Sequence, residues 1–280
     1  MRIPDIPAEK PKISGLPRPA RSPRASAESS VPLLERDLAR VAIIEPSRII
    51  QPIDIAEHCV FCFFQEVIRE LAHEGAQARH IHNGESEAGG YPVYELDYGG
   101  RRLAVVHPGV GAPNAAARLE HMIALGCRKF VACGGAGVLV ESIDVGRIVI
   151  PTAAIRDEGT SYHYLPPARE VAPTRRALKA IEAVLRENNH DYSRGKTWTT
   201  DAVYRETRPR MARRRNEGCL VVEMEAAAFF AVARFRRVEF AQILYGGDSL
   251  AGRRWAPRGW NRHAVRERLF HLAAEACLRL

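Results

Sequence analysis

Short β-branched runs alternate along this sequence with longer segments of helical periodicity, and two of the runs lead directly into glycines. Residues 129–132 precede Gly134 and Gly135, and residues 240–245 precede a Gly-Gly-Asp turn that ends at Asp248. This alternation predicts a mostly parallel sheet with helices on both faces. Ligands of such sheets bind beyond the carboxyl ends of the strands, so we expect the functional residues there.

A hairpin interrupts the alternation. Residues 93–97 and 102–106 are strand candidates on either side of Tyr98-Gly99-Gly100, a turn sequence typical of β-hairpins. The other predicted strands are 59–64, 147–151 and 196–200, and the predicted helices are 65–74, 114–125, 174–187, 223–236 and 260–280.

The first 35 residues differ in composition from the rest of the chain. Proline recurs there among Lys, Arg, Ser and Ala, and no apolar period is present. Such a segment buries too little apolar surface to offset the entropy cost of folding. We therefore expect residues 1–35 to be a disordered tail and residues 36–280 to form one folded domain, a size that a single domain commonly has.

Cysteine placement favours a reducing compartment. The six cysteines lie within or beside apolar runs, as buried thiols do, rather than in a disulfide framework. Cys59 and Cys62 have the C-x-x-C spacing, but inside a strand their side chains point to opposite faces, which favours the core. No apolar run reaches the roughly 20 residues that span a bilayer. The first residues include arginines but no apolar h-region, so we do not expect a secretory signal. We expect a cytoplasmic protein with no membrane partner.

The formal net charge of +8 is compatible with nucleic acid, an anionic metabolite or a membrane surface as partner. Its densest part is residues 205–215, which hold six arginines and one Glu. This stretch lacks the interleaved aromatics of a single-strand binding platform. We therefore interpret it as a solvated helix face, and a nucleic-acid partner is not expected.

Two glycine turns are candidate ligand contacts. Gly109 and Gly111 lie where a strand ends and a helix begins, so that the backbone can approach a ligand with helix N–H groups aimed at it. Gly134 and Gly135 follow another strand. Each pair is equally well explained as an ordinary turn.

Two acidic segments are the other candidates. Glu223, Met224 and Glu225 follow an apolar run at the start of a predicted helix, where carboxylates are also favoured simply by the helix dipole. Asp248 follows two glycines at a strand end, a position that turn residues often occupy.

Together these segments resemble the purine and uridine phosphorylase superfamily, in the correct order and over about residues 58–280. The Glu-Met-Glu-Ala run carries most of the specificity. The matching segments are the glycine turn at 109–111, the Gly-Gly-Ala-Gly segment at 134–137, residues 144–151, residues 222–226 and the Asp248 turn. The resemblance implies an α/β fold, a three-layer α/β/α sandwich around a mixed, partly barrel-like sheet. It also implies a catalytic domain over 36–280 and a homodimer or higher homo-oligomer.

The resemblance implies roles by position. Glu225 would accept hydrogen bonds from ribose hydroxyls, Met224 would pack under the sugar, and Glu223 is a weaker candidate for the same pocket. Trp198 corresponds to an aromatic that lies against the base. Asp248 corresponds to the acid that protonates a purine leaving group, and Arg262 is loosely aligned near it.

Residues in two loops bear on whether the acceptor of the glycosyl group is phosphate or water. Phosphorylases of the family bind phosphate with a glycine-and-arginine turn after the first strand and with an arginine and a hydroxyl in the later loop. This chain has no glycine in the first turn, and Ala132 and Gly135 stand in the later loop. Hydrolytic relatives carry a water-activating acid after the first strand, and Glu66 occupies that place. We therefore favour water over phosphate, although Glu66 is equally well explained as a helix-start residue.

The leading hypothesis is thus an enzyme that cleaves the N-glycosidic bond of a nucleoside, with a purine favoured by Asp248. We expect no metal and no cofactor, with phosphate as the possible co-substrate. The alternatives are a phosphate-dependent purine or uridine phosphorylase, a non-catalytic nucleoside sensor on the same fold, and a nucleic-acid-binding module.

Overall fold

The computed structural model of the protein describes residues 31–35, 39–73, 78–87, 89–259 and 262–280. Residues 1–30 of the expected tail therefore lie outside the described residues. The strands are β1 (His58–Cys62), β2 (Ala78–Gly84), β3 (Tyr91–Asp97), β4 (Arg102–Val106), β5 (Lys129–Val138), β6 (Ile148–Asp157), β7 (Glu170–Val171), β8 (Tyr192–Thr200), β9 (Cys219–Glu223) and β10 (Glu239–Ser249). The α-helices are α1 (Pro46–Ile49), α2 (Gln65–Leu71), α3 (Ala112–Leu125), α4 (Arg175–Glu187), α5 (Arg208–Asn216), α6 (Ala226–Arg236) and α7 (His263–Leu278).

The strands form one mixed sheet with a closed part and an open part. β5, β9, β8, β6 and β10 pair in that order, and a further pairing of β10 with β5 closes these five strands into a ring. β1, β4, β3 and β2 extend the sheet outward from β5. β1, β5 and β10 run parallel, whereas β3 pairs antiparallel with β4 as the predicted hairpin. The expected mixed, partly barrel-like sheet is confirmed.

Two apolar layers cover the sheet. α3 and α6 pack against each other on one face, over a core that includes Phe61, Phe130 and Phe240. α4 and α7 pack on the other face. Cys59 belongs to the first core and Cys62 to the second, as the alternation of a strand requires. The expected three-layer α/β/α arrangement is therefore confirmed.

The predicted ends of several elements were wrong, and three of these errors fall at candidate site residues. Gly134 and Gly135 lie inside β5 rather than in a loop after it, and Asp248 lies inside β10. The physical reason at Gly135 is close packing, because a Cβ there would lie 3.2 Å from the ring of Tyr245. The helix expected over 223–236 begins only at Ala226, because Glu223 ends β9.

The arginine-rich stretch contains α5, and most of its arginines are exposed, as expected. Arg214 is the exception, since its side chain is only 7% exposed. It donates to Asp157 at 3.1 Å and its guanidinium lies 5.5 Å from the centre of the Trp198 ring. Arg214 therefore anchors the helix to the core.

The helices in the part of the chain that the structure describes include none that is both long and apolar enough to cross a membrane. In the same residues, no three His, Cys, Asp or Glu side chains come together as a metal site requires.

Candidate active site

A cavity of about 640 Å³ opens at the carboxyl ends of the parallel strands. β1, β5 and β10 each contribute residues to it at or just beyond their ends, as do the turns before α3 and α6. Its charged and titratable lining residues are Glu66, Arg69, His107, Glu206, Glu223, Glu225, Asp248 and Arg266, and its apolar lining includes Phe63, Val110, Val203, Met224 and Trp255.

Glu225 lies on the wall formed by the turn before α6. It is 5% exposed, and its Oε1 accepts a hydrogen bond of 2.6 Å from the backbone N–H of Gly111. Gly111 has a φ of 89° and precedes α3, so the α3 turn and the α6 turn meet at this carboxyl. Burial and then the neighbouring carboxyl of Glu223 raise the pKa of Glu225 to about 8. Met224 lines the cavity beside it.

Glu223 is bonded to the protein on both oxygens. Oε1 accepts from the hydroxyls of Thr199 at 2.7 Å and Thr197 at 3.2 Å. Oε2 accepts from the backbone N–H groups of Glu225 and Ala226, both at 2.7 Å. Although these bonds oppose it, burial raises the pKa of Glu223. Glu225 accepts one backbone N–H on each oxygen, from Gly111 and, at 3.3 Å, from Met224. Glu223 has four protein donors and Glu225 has two, so Glu225 is the carboxyl with more acceptor capacity left for a ligand.

Asp248 projects into the cavity from the end of β10. Its Oδ2 accepts a hydrogen bond of 2.6 Å from the indole N–H of Trp255. The arginine beside it is Arg258, which donates to the backbone oxygen of Gly247 at 2.9 Å. Arg262, the expected neighbour, is exposed at the N-cap of α7 and does not line the cavity. The loose alignment is corrected here, because the loop after β10 turns Arg258 back toward the strand.

Glu66, in the first turn of α2, lines the cavity as part of an ion pair with Arg266 of α7. Arg266 also donates to the hydroxyl of Tyr245 at 3.1 Å and lies 5.3 Å from the centre of the Phe64 ring. Burial acts to raise the pKa of Glu66, but the bond and charge of Arg266 lower it overall. Glu66 is therefore kept ionised beside the cavity.

His107 is a further cavity residue, just beyond β4. Its Nδ1 accepts from the N–H of Gly109 at 3.0 Å, and its backbone oxygen accepts from Arg118 at 2.7 Å. Burial and the charge of Arg118 lower the pKa of His107, so its imidazole is neutral. Gly109 has a φ of 78° and is not itself one of the lining residues.

Two expected contacts lie away from the cavity. Trp198 is fully buried in the core, where its indole N–H donates to Asp157 at 2.9 Å. The expected contact of Trp198 with a base is therefore wrong, because its ring faces Arg214 and α5 instead. Gly134 also lies outside the lining, since Phe63 covers it, whereas Gly135 does line the cavity.

Sequence reasoning missed several cavity residues, among them His107, Trp255, Arg266 and Glu206. Glu206 follows a 3₁₀ turn, Val203–Arg205, and lies half-buried in the lining near Asp248. Burial and then the charge of Asp248 raise the pKa of Glu206 to about 7. No motif marks it, and its position in an arginine-rich stretch hides it in the sequence.

The comparisons with known proteins identify the family of the chain. A model of the Phosphorylase superfamily matches residues 57–279. The guanosine phosphorylase of Halorubrum lacusprofundi is 30% identical over 163 residues, which are 58% of this chain and 68% of that protein.

Solved structures share the fold. The uridine phosphorylase of Vibrio fischeri ES114 superposes with a TM-score of 0.68 at 20% identity, over 84% of this chain and 98% of that one. The AMP nucleosidase of Bacteroides thetaiotaomicron superposes with a TM-score of 0.64 at 22% identity, over 81% and 89%. Since the family match extends over most of its length, the chain belongs to the Phosphorylase superfamily.

Proposed function

We propose that the protein cleaves the N-glycosidic bond of a purine nucleoside, with water as the acceptor. The observation that carries this proposal is that one cavity has Asp248 on one wall and Glu225 on another. Asp248 is suited to protonate a leaving base, and Glu225 is suited to accept hydrogen bonds from a sugar. The names of the relatives, a guanosine phosphorylase, a uridine phosphorylase and an AMP nucleosidase, support the reaction class.

The base end of the reaction needs an acid. As the glycosidic bond breaks, the sugar gains oxocarbenium character and negative charge develops on the base. A purine can take a proton on its imidazole nitrogen, and Asp248 is the carboxyl that supplies it. Trp255 fixes the orientation of Asp248 through Oδ2. A positioned acid of this kind contributes on the order of 10²–10⁴ in rate.

The sugar end needs orientation. The ribose hydroxyls donate to the carboxyl of Glu225, whose own position is fixed by the N–H of Gly111. Met224 supplies an apolar surface beside it. Holding the ribose in this way reduces the entropy cost of reaching the transition state.

The charge of the cavity favours water as acceptor. Five carboxyl groups line it against two arginines, Arg69 and Arg266. Arg266 is already paired with Glu66, so a phosphate dianion would enter a lining with little free positive charge. Glu66, kept ionised by that pair, is the base that removes a proton from the attacking water.

A phosphate-dependent reaction is the second candidate, favoured by Arg266 itself. If Arg266 turned from Glu66 to an incoming phosphate, it would supply the cation that Ala132 and Gly135 do not. A relative that matches by sequence is named a guanosine phosphorylase, which is consistent with this alternative.

The test is base release from a panel of purine and pyrimidine nucleosides, with and without phosphate. We expect free ribose as product, at a rate that phosphate does not change. Release that requires phosphate, with ribose 1-phosphate as product, would replace water by phosphate in the proposal. Tight binding without release from any nucleoside would indicate a sensor instead.

A further inference from the structure

A buried amide, Gln242 of β10, lines the cavity without a hydrogen-bond partner for its oxygen. The residue is only 1% exposed, and it is one of the lining residues. Among the described residues, none donates a hydrogen bond to Gln242 Oε1. A buried amide oxygen without a donor is costly, and native proteins supply the donor from the protein or from ordered water. The donor for this oxygen must therefore come from the contents of the cavity.

The neighbours of Gln242 on its own face of the sheet are apolar. On β5 it lies opposite Ala132, which in turn lies opposite Phe61 of β1. Along β10, Phe240 and Leu244 share its side of the strand, because alternate residues of a strand point to one face. Both belong to the buried apolar core. These four neighbours offer the amide no donor side chain, which leaves the open cavity as the source of its partner.

Gln242 and Asp248 lie at different depths of the cavity. Asp248 is half-buried and six residues further along β10, which corresponds to roughly 20 Å of extended strand. Phe61 marks the level of Gln242 on β1, and that strand leads through Phe63 into the first turn of α2, which carries Glu66. With the base at Asp248, the acceptor that displaces the base approaches from the side away from it. That side is the deep end of the cavity, where Gln242 lies.

A water molecule matches the chemistry of this position. Water has two protons, so it can donate one to Gln242 Oε1 and the other to the carboxylate of Glu66. A phosphate dianion has no proton to donate, and its oxygens would face the lone pairs of the amide oxygen. An unpaired acceptor at the deep end of the cavity therefore favours water as the acceptor of the glycosyl group.

We propose that Gln242 is a catalytic residue that holds the attacking water through Oε1. This inference rests on the proposed cleavage with water as acceptor. In the reaction, the water oxygen bonds to C1′ of the ribose, and the bond from C1′ to the base breaks. One water proton passes to Glu66, and the other stays on the new anomeric hydroxyl, hydrogen-bonded to Gln242. The base takes its proton from Asp248, and proton exchange with solvent then restores both carboxyl groups.

The experiment compares the wild-type protein with Gln242→Met, on whichever of adenosine, guanosine and inosine the wild type cleaves fastest. Met has a similar size and no polar group to leave unpaired, so the temperature of thermal unfolding should be unchanged or slightly raised. We expect kcat to fall on the order of 10- to 100-fold, through the loss of one hydrogen bond to the reacting water, and KM to change less than about threefold. The matched control is Gln51→Met, the same substitution at an exposed residue outside the cavity lining.

Added methanol separates a role toward water from a structural role of Gln242. Methanol has a single hydroxyl proton and cannot donate to both Gln242 and Glu66, so the wild type should form mainly free ribose. In Gln242→Met this disadvantage of methanol is absent. The ratio of methyl riboside to free ribose should therefore rise severalfold in the variant, and it should stay at the wild-type value in Gln51→Met.

The outcomes distinguish this inference from the proposed function. Free ribose from the wild type together with an unchanged kcat in Gln242→Met, or with an unchanged product ratio, would overturn the inference alone. A wild type that forms no free ribose would overturn water as the acceptor, and the inference with it. If Gln242→Met does not fold, Gln242→Leu repeats both measurements with a smaller apolar side chain.

Discussion

The backbone N–H of Gly111 donates to Oε1 of Glu225 at 2.6 Å, joining two turns that are 114 residues apart in the sequence. Gly111 also has a φ of 89°, a conformation that side chains rarely adopt. The bond between these two residues therefore depends on a glycine at position 111.

Substituting Gly111 tests this bond. We expect Gly111→Ala to lose about 1–3 kcal/mol of unfolding free energy through backbone strain, and to lower kcat/KM about tenfold by moving the N–H away from Glu225. Gly99→Ala is the matched control, with a φ of 62° in the β3–β4 turn and open space around it. An equal loss of activity in both variants would contradict a specific role for Gly111.

Glu223 and Glu225 are expected to differ in what they stabilise. Glu223→Gln replaces an acceptor of two backbone N–H groups by an amide that cannot accept from all four donors. We expect a loss of about 3 kcal/mol in urea unfolding. The loss of unfolding free energy in Glu225→Gln should be clearly smaller. Similar losses for both would mean that Glu225 also has a mainly structural role.

The raised pKa of Glu225 gives the substrate affinity a pH dependence. The carboxyl is protonated below about 8 and ionised above it, and the ionised form accepts hydrogen bonds from ribose more strongly. KM for the nucleoside should therefore fall as the pH rises through about 8. Glu225→Gln has no such group, so its KM should be higher and flat over that range. A wild-type KM without this step would contradict the assignment.

Asp248 is expected to matter for the chemical step rather than for folding. Asp248→Asn cannot deliver a proton to the base, so kcat should fall on the order of 10²–10⁴-fold with little change in thermal unfolding. A leaving group that departs readily without protonation supplies a control. For such a substrate, the O-glycoside p-nitrophenyl riboside, the loss should be much smaller. Normal turnover of purine nucleosides by Asp248→Asn would exclude the proposed role.

The Glu66–Arg266 ion pair is expected to set the acid side of the pH profile. Removing Arg266 takes away the charge that lowers the pKa of Glu66, so Glu66 loses its proton only at higher pH. We expect Arg266→Gln to shift the acid limb of hydrolysis to higher pH. Arg69→Gln removes another cavity arginine, one that donates to the backbone of Gln65, and should leave that limb in place.

The sequence predicted correctly those elements that are determined by residues close together in the chain. The hairpin around Gly99 and Gly100, the opposite faces of Cys59 and Cys62, and the α/β layering all follow from periodicity and turn chemistry. Strand ends were harder to predict. The glycines in β5 were predicted to form a loop. In the structure they make room for the rings of Phe63 and Tyr245, which come from distant parts of the chain.

The residues of the candidate site also fall into two groups, those that a sequence motif marks and those whose position depends on distant contacts. Glu225 and Asp248 lie within recognisable runs and do face one cavity. Trp198 faces the core because Asp157 and Arg214 hold its ring, and neither partner is near it in sequence. Glu206 has no sequence signal at all, since only folding brings it into the cavity lining near Asp248.

The closed ring has a consequence for how the protein meets other chains. Each of its five strands pairs with a neighbour on both sides over at least part of its length, so none of the five is an edge strand. Unpaired backbone is left at the outer end of the open part, on β2. β2 exposes Arg79 and His80 there, and charged side chains on an edge strand discourage sheet-to-sheet aggregation. Closure of the ring thus removes the free edges through which β5, β9 and β10, three strands that reach the cavity, could otherwise mispair.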